Sequence, residues 1–262
     1  MAAPAVKEAW VEMSHGKTRY FEAGTGPDVL LIHGAGFLSG AHSWLGVLPQ
    51  LGEHFHARAI DCLGFGPGGH LAQPYSFGYM VDHLREFVDV LGIERTHLVG
   101  HSMGGWLAVL LAYESPDRVN RLVDVAGGGT QTRPLANMVE WQPPAPEAIE
   151  EGLAGQDPAI VKERLEASTD PAVVTSFRGL MDHMTNPETR VRYNTLRRMP
   201  HIKAPTLVLW GEDDKVNDLE AARLSHENIP GSELKVLPGV GHAVPREAPE
   251  VFVQTVVEFL EK

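Results

Sequence analysis

The sequence predicts an α/β protein with a mostly parallel sheet covered by helices on both faces. Short continuous apolar runs alternate along the chain with longer segments whose apolar residues recur at helical spacing. Several of these runs end in glycine-rich or acidic turns, and ligands of parallel α/β sheets bind at the carboxyl ends of the strands. We therefore expect the functional residues in the turns that follow the strands.

The first half of the chain predicts a hairpin followed by strands and helices in alternation. Residues 9–22 alternate around a Ser-His-Gly-Lys turn, which is typical of an opening β-hairpin. Apolar runs predict strands at residues 29–32, 57–60, 98–99 and 121–125. Helical spacing predicts helices at residues 43–51, 79–91 and from residue 103 onward.

The alternation stops near residue 131, and the sequence is polar, proline-containing and helical in pattern until about residue 201. It resumes with strands at residues 206–210 and 234–237 and with helices at 219–228 and 249–261. An all-helical insertion in an α/β repeat is most simply a cap over the strand ends. We expect residues 1–130 and 202–262 to form the core domain and residues 131–201 to form an inserted helical cap.

Composition restricts the classes of partner. The formal net charge of −12 argues against nucleic acid and anionic membrane surfaces, so we expect a small-molecule substrate, with a homo-oligomer left open. Cys62 is the only cysteine, which suits a reducing cytoplasm. Residues 1–10 do not resemble a signal peptide, and no charge-free apolar run reaches the length of a membrane span. We therefore expect a cytoplasmic protein.

The most informative motif is Gly100-His101-Ser102-Met103-Gly104, which lies between an apolar strand and an apolar helix. A G-x-S-x-G sequence in this context predicts a sharp turn that presents the serine hydroxyl above the sheet, next to a helix N-terminus. The alternative is a glycine-rich turn in which the serine caps a buried helix. We expect Ser102 to be a nucleophile.

A serine nucleophile needs a histidine base, and the base needs a carboxylate that fixes its tautomer. His242 follows a glycine in the loop after a late strand, so it is the candidate base. Asp214 is the favoured acid because a few turn residues separate it from the end of its strand, whereas Asp213 and Glu212 lie closer to that end. Asp124, at the end of an earlier strand, is a less favoured substitute.

An oxyanion formed on the substrate needs backbone donors beside the nucleophile. The N–H of Met103 and that of Ala35 or Gly36 are the candidates. His33 is expected to be a structural hydrogen-bonding group below this loop, and His101 a residue that fills the turn. The other histidines, including His42, His54 and His83, are interpreted as surface or local packing residues.

Five motifs together resemble the α/β-hydrolase superfamily: residues 33–36, 61–66, 100–105, 210–214 and 241–242. Within it, residues 163–168, followed by Pro171 and residues 176–177, resemble the meta-cleavage product hydrolases. Those enzymes hydrolyse a carbon–carbon bond in 2-hydroxy-6-oxo-dienoates formed by aromatic ring fission. The resemblance implies an α/β-hydrolase fold and a hydrolase without cofactor or metal.

The substrate pocket is expected to include Arg164, His101 and Gly34. An N-cap pair at residues 157–158 predicts a helix on which Arg164 shares a face with apolar residues. A cation there needs an anion, which is either a substrate carboxylate or a structural salt-bridge partner. Many members of the subfamily have Asn before the nucleophile and Trp after the catalytic histidine; this chain has His101 and Ala243.

The sequence therefore predicts a serine-type hydrolase with a Ser102, Asp214 and His242 triad. Its expected reaction is carbon–carbon hydrolysis of a 2-hydroxy-6-oxo-dienoate. Dehalogenase and epoxide hydrolase relatives use an Asp nucleophile, which position 102 lacks. Two alternatives remain: a carboxylesterase acting on a small, carboxylate-bearing ester, and a ligand-binding receptor with negligible turnover.

Overall fold

The computed structural model describes residues 3–68, 75–131, 139, 141–153 and 157–262. One sheet contains eight strands in the order β1-β2-β4-β3-β5-β6-β7-β8. The strands are β1 (Lys7–Met13), β2 (Gly16–Ala23), β3 (Asp28–Ile32), β4 (His56–Ile60), β5 (Thr96–His101), β6 (Val119–Val125), β7 (Thr206–Gly211) and β8 (Glu233–Leu237). Strands β3 to β8 pair in parallel, whereas β1 and β2 form an antiparallel hairpin whose β2 pairs antiparallel with β4. The predicted α/β class, the opening hairpin and the mostly parallel sheet are confirmed.

Helices connect and cover these strands. The described α-helices are α1 (Leu48–Leu51), α2 (Phe77–Val90), α3 (Met103–Glu114), α4 (Pro146–Gly152), α5 (Pro158–Ser168), α6 (Pro171–Thr185), α7 (Pro187–Arg192), α8 (Leu219–Asn228), α9 (Val244–Glu247) and α10 (Pro249–Leu260). None of them is long and apolar enough to cross a membrane.

The core lies on both faces of the sheet because successive side chains of a strand point to opposite faces. In β3, Leu30 and Ile32 pack in one apolar cluster with α2, α3 and α8. Val29 and Leu31 pack in the other cluster, with α1 and α10. Burial on both faces explains why the central strands are continuous apolar runs instead of alternating ones.

The prediction of one helix at residues 43–51 was partly wrong. The structure has a 3-10 helix at Ala41–Trp44 and a separate short helix, α1. Pro49 lies in the first turn of α1, where its missing N–H is tolerated. Inside one longer helix a proline would remove a hydrogen bond and clash with the preceding turn, so the two helices stay separate. The final helix predicted at residues 249–261 is confirmed as α10, which begins at Pro249 and follows the short helix α9.

Four helices, α4 to α7, lie between β6 and β7, and the described part of this segment contains no strand. Each begins with a proline in its first turn, where no intrahelical acceptor for the N–H is needed. The side chains of Asp157, Asp170 and Asn186 accept N-cap hydrogen bonds at α5, α6 and α7. Residues 132–138, 140 and 154–156 of the predicted cap lie outside the described residues.

Close packing of α3 against the sheet depends on glycine. A Cβ built on Gly104 would lie 2.0 Å from the Ile32 carbonyl oxygen, and one on Gly100 would lie 2.2 Å from the Gly104 carbonyl oxygen. Both obstacles are backbone atoms, which cannot turn aside as a side chain could. The turn between β5 and α3 therefore tolerates no side chain at these two positions.

We predict that Gly104→Ala lowers the free energy of unfolding by about 1–3 kcal/mol, because α3 must move away from β3. Urea unfolding measures this change. Gly46→Ala is the matched control, since a Cβ at Gly46 meets no atom within 4 Å. Equal destabilisation by the two substitutions would contradict the packing argument.

Candidate active site

Ser102 occupies the sharp turn between β5 and α3. Its backbone has φ 56° and ψ −114°, a conformation that L-residues rarely adopt, and such strain is concentrated at functional sites. Its N–H donates to the Val125 carbonyl oxygen at 2.9 Å, which ties the turn to the end of β6. Although Ser102 precedes α3, its side chain makes no capping hydrogen bond. The geometry therefore does not support the alternative role of helix cap.

His242 and Asp214 are brought together by the loops after β8 and β7. The Asp214 side chain is fully buried, and its Oδ2 accepts a hydrogen bond from His242 Nδ1 at 2.8 Å. Asp214 Oδ1 accepts from the N–H groups of Val216 and Asn217 at 2.7 and 2.9 Å. Since Asp214 is the acceptor, Nδ1 carries the proton and a neutral His242 has its lone pair on Nε2. Among the described residues, the side chain of His242 bonds to Asp214 through Nδ1, and no hydrogen bond joins its Nε2 to Ser102 Oγ.

The loop carrying His242 is held by two side chains whose roles the sequence did not reveal. Glu247, in α9, accepts hydrogen bonds from the N–H groups of Gly241 and Ala243 at 2.6 and 2.9 Å. His101 Nε2 lies 2.9 Å from the His242 carbonyl oxygen and donates to it. Burial and the nearby His242 lower the pKa of His101 to about 4, so this ring is neutral at neutral pH. His101 therefore joins the serine turn to the histidine loop, in addition to lining the cavity.

The loop after β3 lies against the serine turn. A Cβ on Gly34 would be 3.2 Å from Ser102 Cβ, so this glycine permits the close approach. His33 supports the loop from below: its Nε2 accepts from Cys62 N at 3.0 Å and its Nδ1 donates to the Gly34 carbonyl at 2.7 Å. Burial lowers the pKa of His33 to about 4, which keeps the ring neutral as this arrangement requires.

The candidate oxyanion donors lie near the close approach of Gly34 to Ser102. Ala35 and Gly36 line the cavity, and neither backbone N–H donates to another described residue. Met103 is the first residue of α3, so its N–H has no acceptor within the helix. The structure thus brings the three predicted donors to the neighbourhood of Ser102.

A cavity of about 990 Å³ contains these residues. Ser102, His101 and His242 line it from the core, and residues of α4 and α5 line the opposite wall. That wall is largely apolar, contributed by Ala148, Ile149, Leu153 and Ile160. The cavity is large enough for a small organic molecule between the sheet and the inserted helices.

Arg164 is the exceptional group of this cavity. The residue is 7% exposed, and its Nε and Nη2 atoms are buried without a hydrogen-bond partner among the described residues. Burial lowers its pKa to about 10, which still leaves the guanidinium charged at neutral pH. No ion pair within the described residues involves Arg164, so the structural salt bridge considered from the sequence is absent there. A buried guanidinium whose nitrogens lack hydrogen-bond partners is costly, and Arg164 lines the same cavity as Ser102.

His42, interpreted from the sequence as a surface or local packing residue, is half-buried and also lines the cavity. Burial, together with the positive charge of Arg164, lowers its pKa to about 2. His42 lies in the 3-10 helix after β3, and it faces the charge of Arg164 on a helix more than a hundred residues away in sequence. His54 is exposed and His83 is buried, in agreement with the sequence analysis.

The remaining candidate acids do not contact His242. Asp213 and Glu212 are exposed, as solvated loop charges would be. Asp124 is buried beside Gly105 and Gly127, and its Oδ1 has no hydrogen-bond partner. Burial raises its pKa to about 7. Of the four carboxyl groups considered from the sequence, Asp214 is therefore the one paired with His242.

Comparison with known proteins gives a consistent assignment. Residues 29–255 match the alpha/beta hydrolase family. A 2-hydroxy-6-oxo-6-(2'-aminophenyl)hexa-2,4-dienoic acid hydrolase of Metapseudomonas resinovorans is 30% identical. The alignment has a length of 273 and covers 98% of this chain and 92% of the relative. The meta-cleavage product hydrolase of Pseudomonas fluorescens IP01 superposes with a TM-score of 0.82 at 26% identity, covering 97% of both chains.

A bacterial membrane phospholipase A also superposes, with a TM-score of 0.80 at 27% identity over 98% of this chain and 86% of that one. The fold is thus shared by enzymes whose names indicate different bonds. What they have in common is the family that residues 29–255 match. The chain therefore belongs to the alpha/beta hydrolase family, and it is a hydrolase whose relatives include meta-cleavage product hydrolases.

Proposed function

We propose that this hydrolase cleaves a carbon–carbon bond in a 2-hydroxy-6-oxo-dienoate, the product of aromatic ring fission. The observation that carries the proposal is the buried, unpartnered guanidinium of Arg164 in the cavity of Ser102. Such a substrate ends in a carboxylate, which is the anion this guanidinium lacks, and planar carboxylates suit the fork of an arginine. The named relatives support the same substrate class.

In this proposal each residue has a chemical task. Arg164 holds the carboxylate, and the dienol of the substrate is converted to its keto form. Ser102, His242 and Asp214 then assist attack on the distant carbonyl, with His242 as the base and Asp214 fixing its tautomer. Water enters the reaction, the carbon–carbon bond breaks, and two acid products leave. Backbone N–H groups at Met103 and at Ala35 or Gly36 stabilise the negative charge on the carbonyl oxygen.

We further infer that residues 131–201 act as a cap and that residues 1–130 and 202–262 form the core. Helices α4 and α5 supply the apolar wall and Arg164, whereas the core supplies the serine, the histidine and the acid. Substrate would enter between the two parts. Excluding water there strengthens the electrostatic contacts on which the reaction depends.

A carboxylesterase is the second candidate function. The similarity to a phospholipase favours it, since ester hydrolysis uses the same three side chains. Acylation of Ser102 and deacylation by water would replace ketonisation and carbon–carbon cleavage. Arg164 would then select esters that carry a free carboxylate.

We predict Ser102-dependent loss of the visible absorbance of a 2-hydroxy-6-oxo-hexa-2,4-dienoate. Wild-type protein should bleach the substrate and release two acids, whereas Ser102→Ala should do so at least a thousandfold more slowly, roughly the effect of removing a triad serine. The same variant should also lose activity towards simple esters, which tests the role of Ser102 in a second reaction. If wild-type protein cleaves esters and leaves the dienoate intact, the assignment moves to carboxylesterase.

We predict that Asp214→Asn lowers kcat by roughly ten-thousandfold, because an amide reverses the hydrogen-bond preference that fixes the tautomer of His242. Asp213→Asn, one residue away and exposed, is the matched control and should retain activity within about twofold. Steady-state kinetics measures both. Comparable losses in the two variants would show that the hydrogen bond from His242 to Asp214 is not the important one.

We predict that Arg164→Gln raises KM for carboxylate-bearing substrates by roughly tenfold to a hundredfold, the effect of losing one charge-assisted contact. KM for a neutral ester should change little, since no anion needs the guanidinium. Lys162→Gln removes a highly exposed cation from the same helix and serves as the control. Unchanged affinity of Arg164→Gln for acidic substrates would refute the carboxylate site.

A further inference from the structure

A second arginine, Arg19 in β2, connects the sheet to the helix that carries Arg164. Arg19 is 3% exposed. Its Nε donates to Asp61 Oδ2 at 2.8 Å, and its Nη1 donates to Glu163 Oε2 at 2.6 Å. Asp61 follows β4 in the core, whereas Glu163 lies in α5. One guanidinium therefore binds a carboxylate from the core and a carboxylate from the inserted helices.

Helix α5 has little else to fix it against the core. Arg164 is its one buried residue, and its apolar residues Ile160, Val161 and Leu165 are only half-buried. A helix without a buried apolar stripe gains little from packing. Among the described residues, α5 is joined to the sheet by the ion pair between Glu163 and Arg19. Glu163 directly precedes Arg164 in this helix.

The same ion pairs explain why Arg164 is left unpaired. Asp61 and Glu163 are the carboxylates whose charges act most directly on Arg164. Both direct an oxygen at Arg19 instead. Asp61 Oδ1 also accepts from the Ala41 N–H at 2.6 Å, which fixes its orientation. Arg19 thus binds both carboxylates whose charges favour the charged form of Arg164, and neither of them forms an ion pair with Arg164 among the described residues.

We propose that Arg19 and Glu163 are positioning residues for Arg164: their ion pair fixes α5 on the sheet, and it leaves the Arg164 guanidinium free for the carboxylate of the substrate. The inference rests on the proposed function of Arg164. Neither residue touches the substrate. Their effect is on the affinity for a carboxylate and not on the chemical step.

The test measures binding and kinetics of Glu163→Ala and Glu163→Gln. Glu163→Ala should raise KM for the dienoate about tenfold with kcat changed less than about threefold, because Arg164 is no longer held in place. Glu163→Gln keeps a neutral acceptor for Arg19, so a smaller rise is expected. Hydrolysis of p-nitrophenyl acetate, which bears no carboxylate, should be unchanged in both variants.

Glu166→Ala is the matched control on the same helix. Glu166 pairs with exposed Lys162 at 3.8 Å and should affect neither substrate. Calorimetric titration measures binding without turnover. 2-Oxopentanoate should bind Glu163→Ala more weakly than wild-type protein, whereas its uncharged analogue 2-pentanone should bind both proteins equally. Unchanged carboxylate affinity in Glu163→Ala would overturn the proposal, and so would an equal loss towards the dienoate and the neutral ester.

Arg164→Gln, measured in parallel, separates this proposal from the proposed function. If Arg164→Gln weakens binding of 2-oxopentanoate and Glu163→Ala does not, only the positioning role is wrong. If Arg164→Gln also leaves that binding unchanged, the carboxylate site itself is wrong and both proposals fail.

Discussion

The candidate site depends on the left-handed backbone of Ser102 between β5 and α3. That conformation is maintained by close contact of the helix with β3 and with the end of β6, through positions where only glycine fits. Because α3 starts at the next residue, the serine lies beside a helix N-terminus and at the carboxyl edge of the sheet. The other candidate groups lie in loops at this same edge of the sheet or in the inserted helices that line the cavity.

Polar side chains around the site are arranged in two hydrogen-bonded assemblies. In one, Asp214 receives three hydrogen bonds, and His101 and Glu247 fix the backbone around His242. In the other, Arg19 binds Asp61 and Glu163. Removing one partner of a buried ion pair leaves an uncompensated charge, so the pair of Arg19 with Asp61 is sensitive to a single substitution. We infer that the first assembly orients groups for the reaction and that the second orients α5.

Local patterns in the sequence were sufficient for the fold and for the residues at strand ends. Apolar runs marked the parallel strands, and the G-x-S-x-G motif marked the turn at Ser102, because both signals are contained in a few consecutive residues. The place of His42 in the cavity and the role of Arg19 gave no signal, since both depend on residues distant in sequence. Arg19 lies 144 positions from Glu163. Such pairs have no period and no local spacing, so they become visible only when the chain is folded.

The unpaired guanidinium in the cavity has a consequence for stability. Burying the Arg164 guanidinium with Nε and Nη2 lacking hydrogen-bond partners among the described residues disfavours the folded chain, and an anion that binds only the folded form offsets that cost. Melting temperature is then linked to the concentration of small carboxylates, including those of a buffer. With Arg164 holding the substrate carboxylate as proposed, substrate affinity and resistance to heat are two measures of one interaction. A substitution that neutralises Arg164 is then expected to weaken substrate binding and to raise the melting temperature.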